Sequence, residues 1–198
     1  MQNSIFILIL VTLFNITTQA QLNQSSHEND HSEEQEESTF VKPDGNFSVH
    51  RLFIVNDNDE ILITDDWFTP SFIHSERQYL TEALDSLATA YGVTIEEPQL
   101  RALLSYKYEY HDDATIRCFY VAKYVCGTPK TPEGMTNARW LPIEEVAKRN
   151  HVRSIGDGIL KIFENPNVVW GGSFMIWHEG ELHGSNVVED FYPLFEAK

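Results

Sequence analysis

Trp67-Phe68-Thr69-Pro70-Ser71-Phe72 precedes a long amphipathic stretch that closes at Tyr91-Gly92-Val93, and this passage decides the fold. From Ser75 the chain carries apolar residues at helical spacing: Tyr79, Leu80, Ala83, Leu84, Leu87, Ala88 and Tyr91. Residues at i, i+3 and i+4 share one helix face, so this pattern predicts a helix over residues 75–91 with a single buried stripe. Ser75 followed three residues later by Gln78 has the form of a capping box. Gly92 fits the left-handed position that ends a helix.

The flanks have the period of strands. Val49 to Val55 predicts one strand and Glu60 to Thr64 its return, joined by the turn cluster Asn56-Asp57-Asn58-Asp59. No glutamate follows at the spacing a calcium loop needs, so a plain hairpin turn is the reading here. Leu100 to Tyr110 predicts a strand with Tyr106, Tyr108 and Tyr110 on one face. His111-Asp112-Asp113 would turn into a further strand, Thr115 to Cys126. A loop over residues 127–138 leads to the short strand Arg139-Trp140-Leu141, and Pro142 is placed to start a helix. Ile155 to Phe163 predicts a late helix ended by Asn165-Pro166. Ser173 to Trp177, a turn at Glu179-Gly180 and a return from Leu182 predict a C-terminal hairpin. Strands before and after a central amphipathic helix, with later helices, give a layered α/β or α+β domain.

The order of these elements over residues 47–164 resembles the Nudix hydrolase family. The passage Arg139-Trp140-Leu141-Pro142-Ile143-Glu144-Glu145 is similar to the family's Trp-x-Pro-x-x-Glu segment before a late helix. The resemblance implies a Nudix-like α/β/α sandwich with a mixed sheet, here extended by the C-terminal β-hairpin. The family's box reads G-x5-E-x7-R-E-U-x-E-E-x-G-U, with U aliphatic. Anchored on Gly92 and Val93, its first glycine falls on Ser71 and its first glutamate on Arg77. The box arginine falls on Asp85, the glutamate after it on Ser86, the aliphatic position on Leu87 and the paired glutamates on Thr89 and Ala90. In the family these glutamates hold a divalent metal that bridges a diphosphate. Serine, threonine and alanine do not replace that charge, because hard cations need oxygen ligands, mostly carboxylates. Phe72 stands where a small residue would let the backbone approach phosphate.

The resemblance therefore implies a domain that has lost hydrolase chemistry and acts as a ligand-binding or interaction module, with no cofactor. Its partner would be a small molecule or a protein. The alternative is a divergent Nudix-type hydrolase of nucleoside diphosphate-like or other pyrophosphate substrates. That enzyme would hold Mg²⁺ or Mn²⁺ through Glu76, Glu82, Asp85 and Glu133. Most of the aromatic residues belong to the core; Trp67, Phe72 and Tyr108 are the candidates for lining an apolar ligand pocket. His178, Glu179, Glu181 and His183 form a second polar group in the C-terminal hairpin.

The N-terminus adds a different signal. Residues 1–20 carry no charged side chain, and Ile5 to Phe14 is apolar. This run is far shorter than the ~20 residues that span a bilayer. Thr18-Gln19-Ala20 supplies the small-x-small pattern of a signal-peptidase site. We expect a signal peptide over residues 1–20 and a disordered acidic leader over 21–39, bearing Glu28, Asp30, Glu33, Glu34, Glu36 and Glu37. Residues 40–198 then form the domain of an exported protein, periplasmic or secreted, with no stable membrane insertion after cleavage. The formal charge of −16 argues against nucleic-acid partners. Cys118 and Cys126 fall on one strand. Eight extended residues span roughly 26 Å, and a disulfide needs Cα atoms within about 7 Å. Both are expected to be free thiols acting as small buried hydrophobes.

Overall fold

Strand β1 (Phe47–Val55) is apolar on both faces, and this makes it central. Leu52 and Ile54 pack to one side and Phe53 and Val55 to the other, all four buried. A strand covered on both faces belongs to the middle of a layered sheet. The computed structural model describes residues 47–65, 68–73, 79–109, 111–179 and 182–197. They lie in one unit, Pro43–Lys198. The expected signal peptide and acidic leader fall outside the described residues.

β1 pairs in parallel with β6 (His111–Gly127) from Phe47↔Thr115 to Val55↔Lys123. Its other edge is shared between two strands. β3 (Ser71–Ile73) pairs at Arg51↔Ser71, and β2 (Glu60–Ile63) pairs at Val55↔Ile61. Beyond β2 lies β7 (Arg139–Pro142); beyond β6 lie β5 (Gln99–Tyr108), β8 (Val168–Glu179) and β9 (Leu182–Glu196). The short β4 (Val93–Ile95) pairs with the end of β6. β1–β6 and β5–β8 are parallel and the remaining pairs antiparallel, so the sheet is mixed.

Helix α1 (Leu80–Ala90) covers one face, packing Leu84 and Ala88 with Leu52, Ile54 and Tyr120. Helices α2 (Ile143–Arg149) and α3 (Arg153–Glu164) cover the other, packing Val146, Ile155 and Ile159 with Phe53 and Leu104. Each fully buried isoleucine of α3 contributes about 2 kcal/mol by leaving water. The result is the expected α/β/α sandwich with a mixed sheet and a C-terminal hairpin. No described helix is long and apolar enough to cross a membrane.

Several elements differ in extent from the sequence reading. The helix begins at Leu80, because Tyr79 is extended (φ −74°, ψ 149°) and 78 % exposed. Tyr79 thus caps the helix instead of joining its stripe, and the Ser75–Gln78 pair lies outside the described residues. The β5–β6 turn falls earlier than His111-Asp112-Asp113: Tyr108 already pairs with His111, so both aspartates belong to β6. Both cysteines are free, but only Cys118 is buried. Cys126 is exposed because β6 runs past the core there and pairs only with β4. The Asn56–Glu60 turn is a plain one, the Asn56 Oδ1 accepting from Asn58 N at 2.9 Å and Glu60 N at 3.1 Å.

Candidate functional site

The loop after β2 enters the sheet through Thr64, which bridges to Phe68. Asp65 anchors this loop to the 128–138 segment by accepting from Thr136 N at 2.8 Å and Thr136 Oγ1 at 2.7 Å. Ser71 is buried in β3, and Phe72 stacks on His50 at 5.1 Å, which in turn stacks on Tyr120 at 5.9 Å. Phe72 therefore packs on the α1 face, whereas Tyr108 packs on the α2–α3 face. The sheet separates them, and the structure does not bring them together. Trp67 and Glu76 lie outside the described residues.

On α1 the residues facing the sheet are Ala83, Leu84 and Ala88, while Glu82, Asp85 and Thr89 are exposed. The Glu82 carboxylate accepts from Tyr79 N at 3.3 Å, closing the first turn of the helix. Glu133 is exposed in the 128–138 loop. Among the described residues no three His, Cys, Asp or Glu side chains are grouped to hold a metal ion. In the C-terminal hairpin, His178 and His183 are register partners across β8 and β9; Glu181 lies outside the described residues.

The opposite face holds a polar cluster that the sequence reading missed. Arg51 sits on β1 beside Phe53 and Val55, flanked by Ser71 on β3 and Phe119 on β6. It is only 6 % exposed, and its Nη1 is buried without a hydrogen-bond partner. The ring of Phe68 stands 6.0 Å away, at the outer limit of a cation–π contact. Arg117, on β6, lies over the Tyr106 ring at 4.6 Å and donates from Nη2 to the Tyr108 hydroxyl at 2.9 Å. The Tyr108 hydroxyl also meets Thr115 Oγ1 at 3.2 Å.

Burial first, and then the charge of Arg117, lower the pKa of Arg51 to about 10, against the opposing influence of Tyr106 and Tyr91. Arg51 remains a cation at neutral pH. No carboxylate among the described residues offsets it. Tyr106 is fully buried, and burial raises its pKa. The Ser154 hydroxyl approaches that of Tyr106 closely enough to influence its ionisation, but not in hydrogen-bonding geometry, so both hydroxyls are unpaired. One signal for this cluster was legible: an arginine within His50-Arg51-Leu52-Phe53-Ile54-Val55, where both faces of the strand are buried.

No family profile and no curated protein matches the sequence. The three-dimensional arrangement does have matches. The Mutator MutT protein of Bacillus halodurans superposes with a TM-score of 0.58 over 71 % of this chain and 97 % of its own, at 12 % identity. The MutT protein of Methanosarcina mazei Go1 superposes with a TM-score of 0.50 over 62 % of this chain and 96 % of its own, also at 12 % identity. The chain has the Nudix fold.

On the box alignment anchored at Gly92, the box positions from Asp85 to Ala90 fall on α1. A Nudix metal would need glutamates at the positions held here by Ser86, Thr89 and Ala90. Two of those residues offer neutral hydroxyls and one offers no ligand atom at all. The described part of the helix does not fit a hard divalent cation.

Proposed function

We propose that this chain is an exported Nudix-fold domain that has lost metal-dependent hydrolysis and binds a ligand without a metal ion. The observation that carries this reading is the use made of the carboxylates on α1. Glu82 caps the helix, Asp85 stands exposed, and neither joins a group able to hold a metal among the described residues. The uncharged apolar stretch at residues 1–20 supports export. The buried, unpaired cation of Arg51 supports binding, because a cleft built for a ligand can keep such a charge until an anion arrives.

The fold neighbours named MutT favour a second reading, a divergent pyrophosphohydrolase with Mg²⁺ or Mn²⁺ on Glu76, Glu82, Asp85 and Glu133. A thermal-shift titration of the full chain with Mn²⁺ and Mg²⁺, with and without ADP-ribose, separates the two. The binding reading expects no metal-dependent change in Tm and no turnover. Stabilisation by metal that disappears in Asp85→Ala, together with release of phosphate-containing products, would establish the enzyme instead.

A further inference from the structure

The α2–α3 face gathers buried polar groups that stand in hydrogen-bonding geometry to no partner. Arg51 Nη1, the Tyr106 hydroxyl and the Ser154 hydroxyl are unpaired, and their residues are 6 %, 0 % and 3 % exposed. Thr69 adds a fourth such group, a third buried hydroxyl without a partner. It lies two residues before Ser71, the register partner of Arg51. Leaving one buried polar group unmade is costly, and leaving a guanidinium unmade costs more. The neighbouring cation, Arg117, adds to the charge of Arg51. Such a set lacks one thing, an acceptor with negative charge and several oxygens.

We infer that Arg51, Tyr106 and Ser154 form a buried oxyanion site that takes the phosphoryl or carboxylate group of a small ligand. A guanidinium offers parallel N–H donors that match two oxygens of such a group. Ser154 lies in the first turn of α3, where the helix end adds partial positive charge. The rest of the ligand has a place as well. A groove of about 390 Å³ runs between α3 and β9, and Ser154 and Phe174 line it. Phe174 packs on the Tyr106 ring at 5.5 Å. Ser154 thus borders both the groove and the Tyr106 hydroxyl, and Phe174 borders both the groove and the Tyr106 ring.

The inference rests on the binding-module reading, and the experiment keeps their fates apart. The full chain is melted with inorganic phosphate or acetate, against chloride at matched ionic strength. Phosphate at a hundredfold excess over its Kd is expected to raise Tm by about 5–10 °C. Arg51→Met should abolish that rise. It should also melt at or above the ligand-free parent, because it removes a lone buried charge. Tyr106→Phe keeps the ring in the core, and should weaken phosphate binding roughly tenfold, one hydrogen bond's worth. A response to acetate alone assigns the oxyanion to a carboxylate ligand. No response to either anion, or an equal response in Arg51→Met and Tyr106→Phe, overturns the site. Turnover of ADP-ribose with Mn²⁺ would overturn the binding-module reading while leaving an Arg51-dependent anion response intact.

Discussion

Gly92 and Gly127 meet where α1 turns into β4 and β6 leaves the core. Gly92 ends the helix at φ +75° and Gly127 lies at φ +116°, a region open in practice to glycine alone. A Cβ on Gly127 would collide with the Gly92 carbonyl oxygen and stand 2.9 Å from Val93 Cα. Both obstacles are backbone and neither can rotate away. Gly127→Ala should therefore cost about 2–3 kcal/mol from strain and overpacking together. Urea unfolding checks it, and a loss below half a kcal/mol would mean that the crossing relaxes. The role of Gly92 was legible, since a glycine after the last apolar position of a helical stripe signals the cap. The role of Gly127 was not. Its constraint comes from a residue 35 positions away in sequence, and no local pattern records such a meeting.

At the scale of elements, α2 and α3 form the lid of the polar cluster, and their spacing is set by a residue without a side chain. A Cβ on Gly156 would lie 2.5 Å from the Ala147 carbonyl oxygen of α2. Gly156→Ala must push the helices apart or distort α2, at about 2–3 kcal/mol. It should also shift Ser154, two residues earlier, so phosphate-dependent stabilisation should weaken along with the fold. A variant that loses stability but keeps the full anion response would show that the lid does not position Ser154. The sequence announced α3 well, because Ile155, Ile159 and Ile162 repeat at helical spacing and all three are buried. It announced α1 less well at its start. Tyr79 matches the stripe by position, yet the helix begins after it, with Glu82 closing the turn. The candidate site was the least legible part. Phe72 and Tyr108 look alike as aromatics near the box, but the parity of their strands sends them to opposite faces. Arg51 shows only as a charge in an apolar run; its lack of a partner depends on β3, β5 and α3 arriving around it.

For the whole molecule, the buried tyrosines and the buried arginine respond to alkali in opposite senses. Tyr91 is buried against α1, its hydroxyl meeting Thr64 Oγ1 at 3.3 Å and Met135 Sδ at 3.2 Å. Burial pushes its pKa up to about 12, against the lowering effect of the Thr64 contact. The pKa values of Tyr106 and Tyr120 also rise, in each case mainly through burial. A raised folded-state pKa means that the native state holds its proton more tightly than the unfolded chain. The stability this gives is complete below about pH 10 and is lost as pH climbs towards 12. Arg51 works the other way: its folded-state pKa falls to about 10, so its deprotonation relieves a penalty over the same range. Three tyrosines against one arginine leave a net loss. Tyr91 alone should account for about 1.4 kcal/mol of that loss at pH 11. Urea unfolding of the parent and Tyr91→Phe at pH 8 and pH 11 isolates this contribution, because the variant has no phenol to ionise at that position. The parent should lose about 1.4 kcal/mol more than the variant between the two pH values. Equal losses would mean that the Tyr91 hydroxyl reaches water in the folded protein, and that the Thr64–Tyr91–Met135 contact does not seal the α1 side of the core.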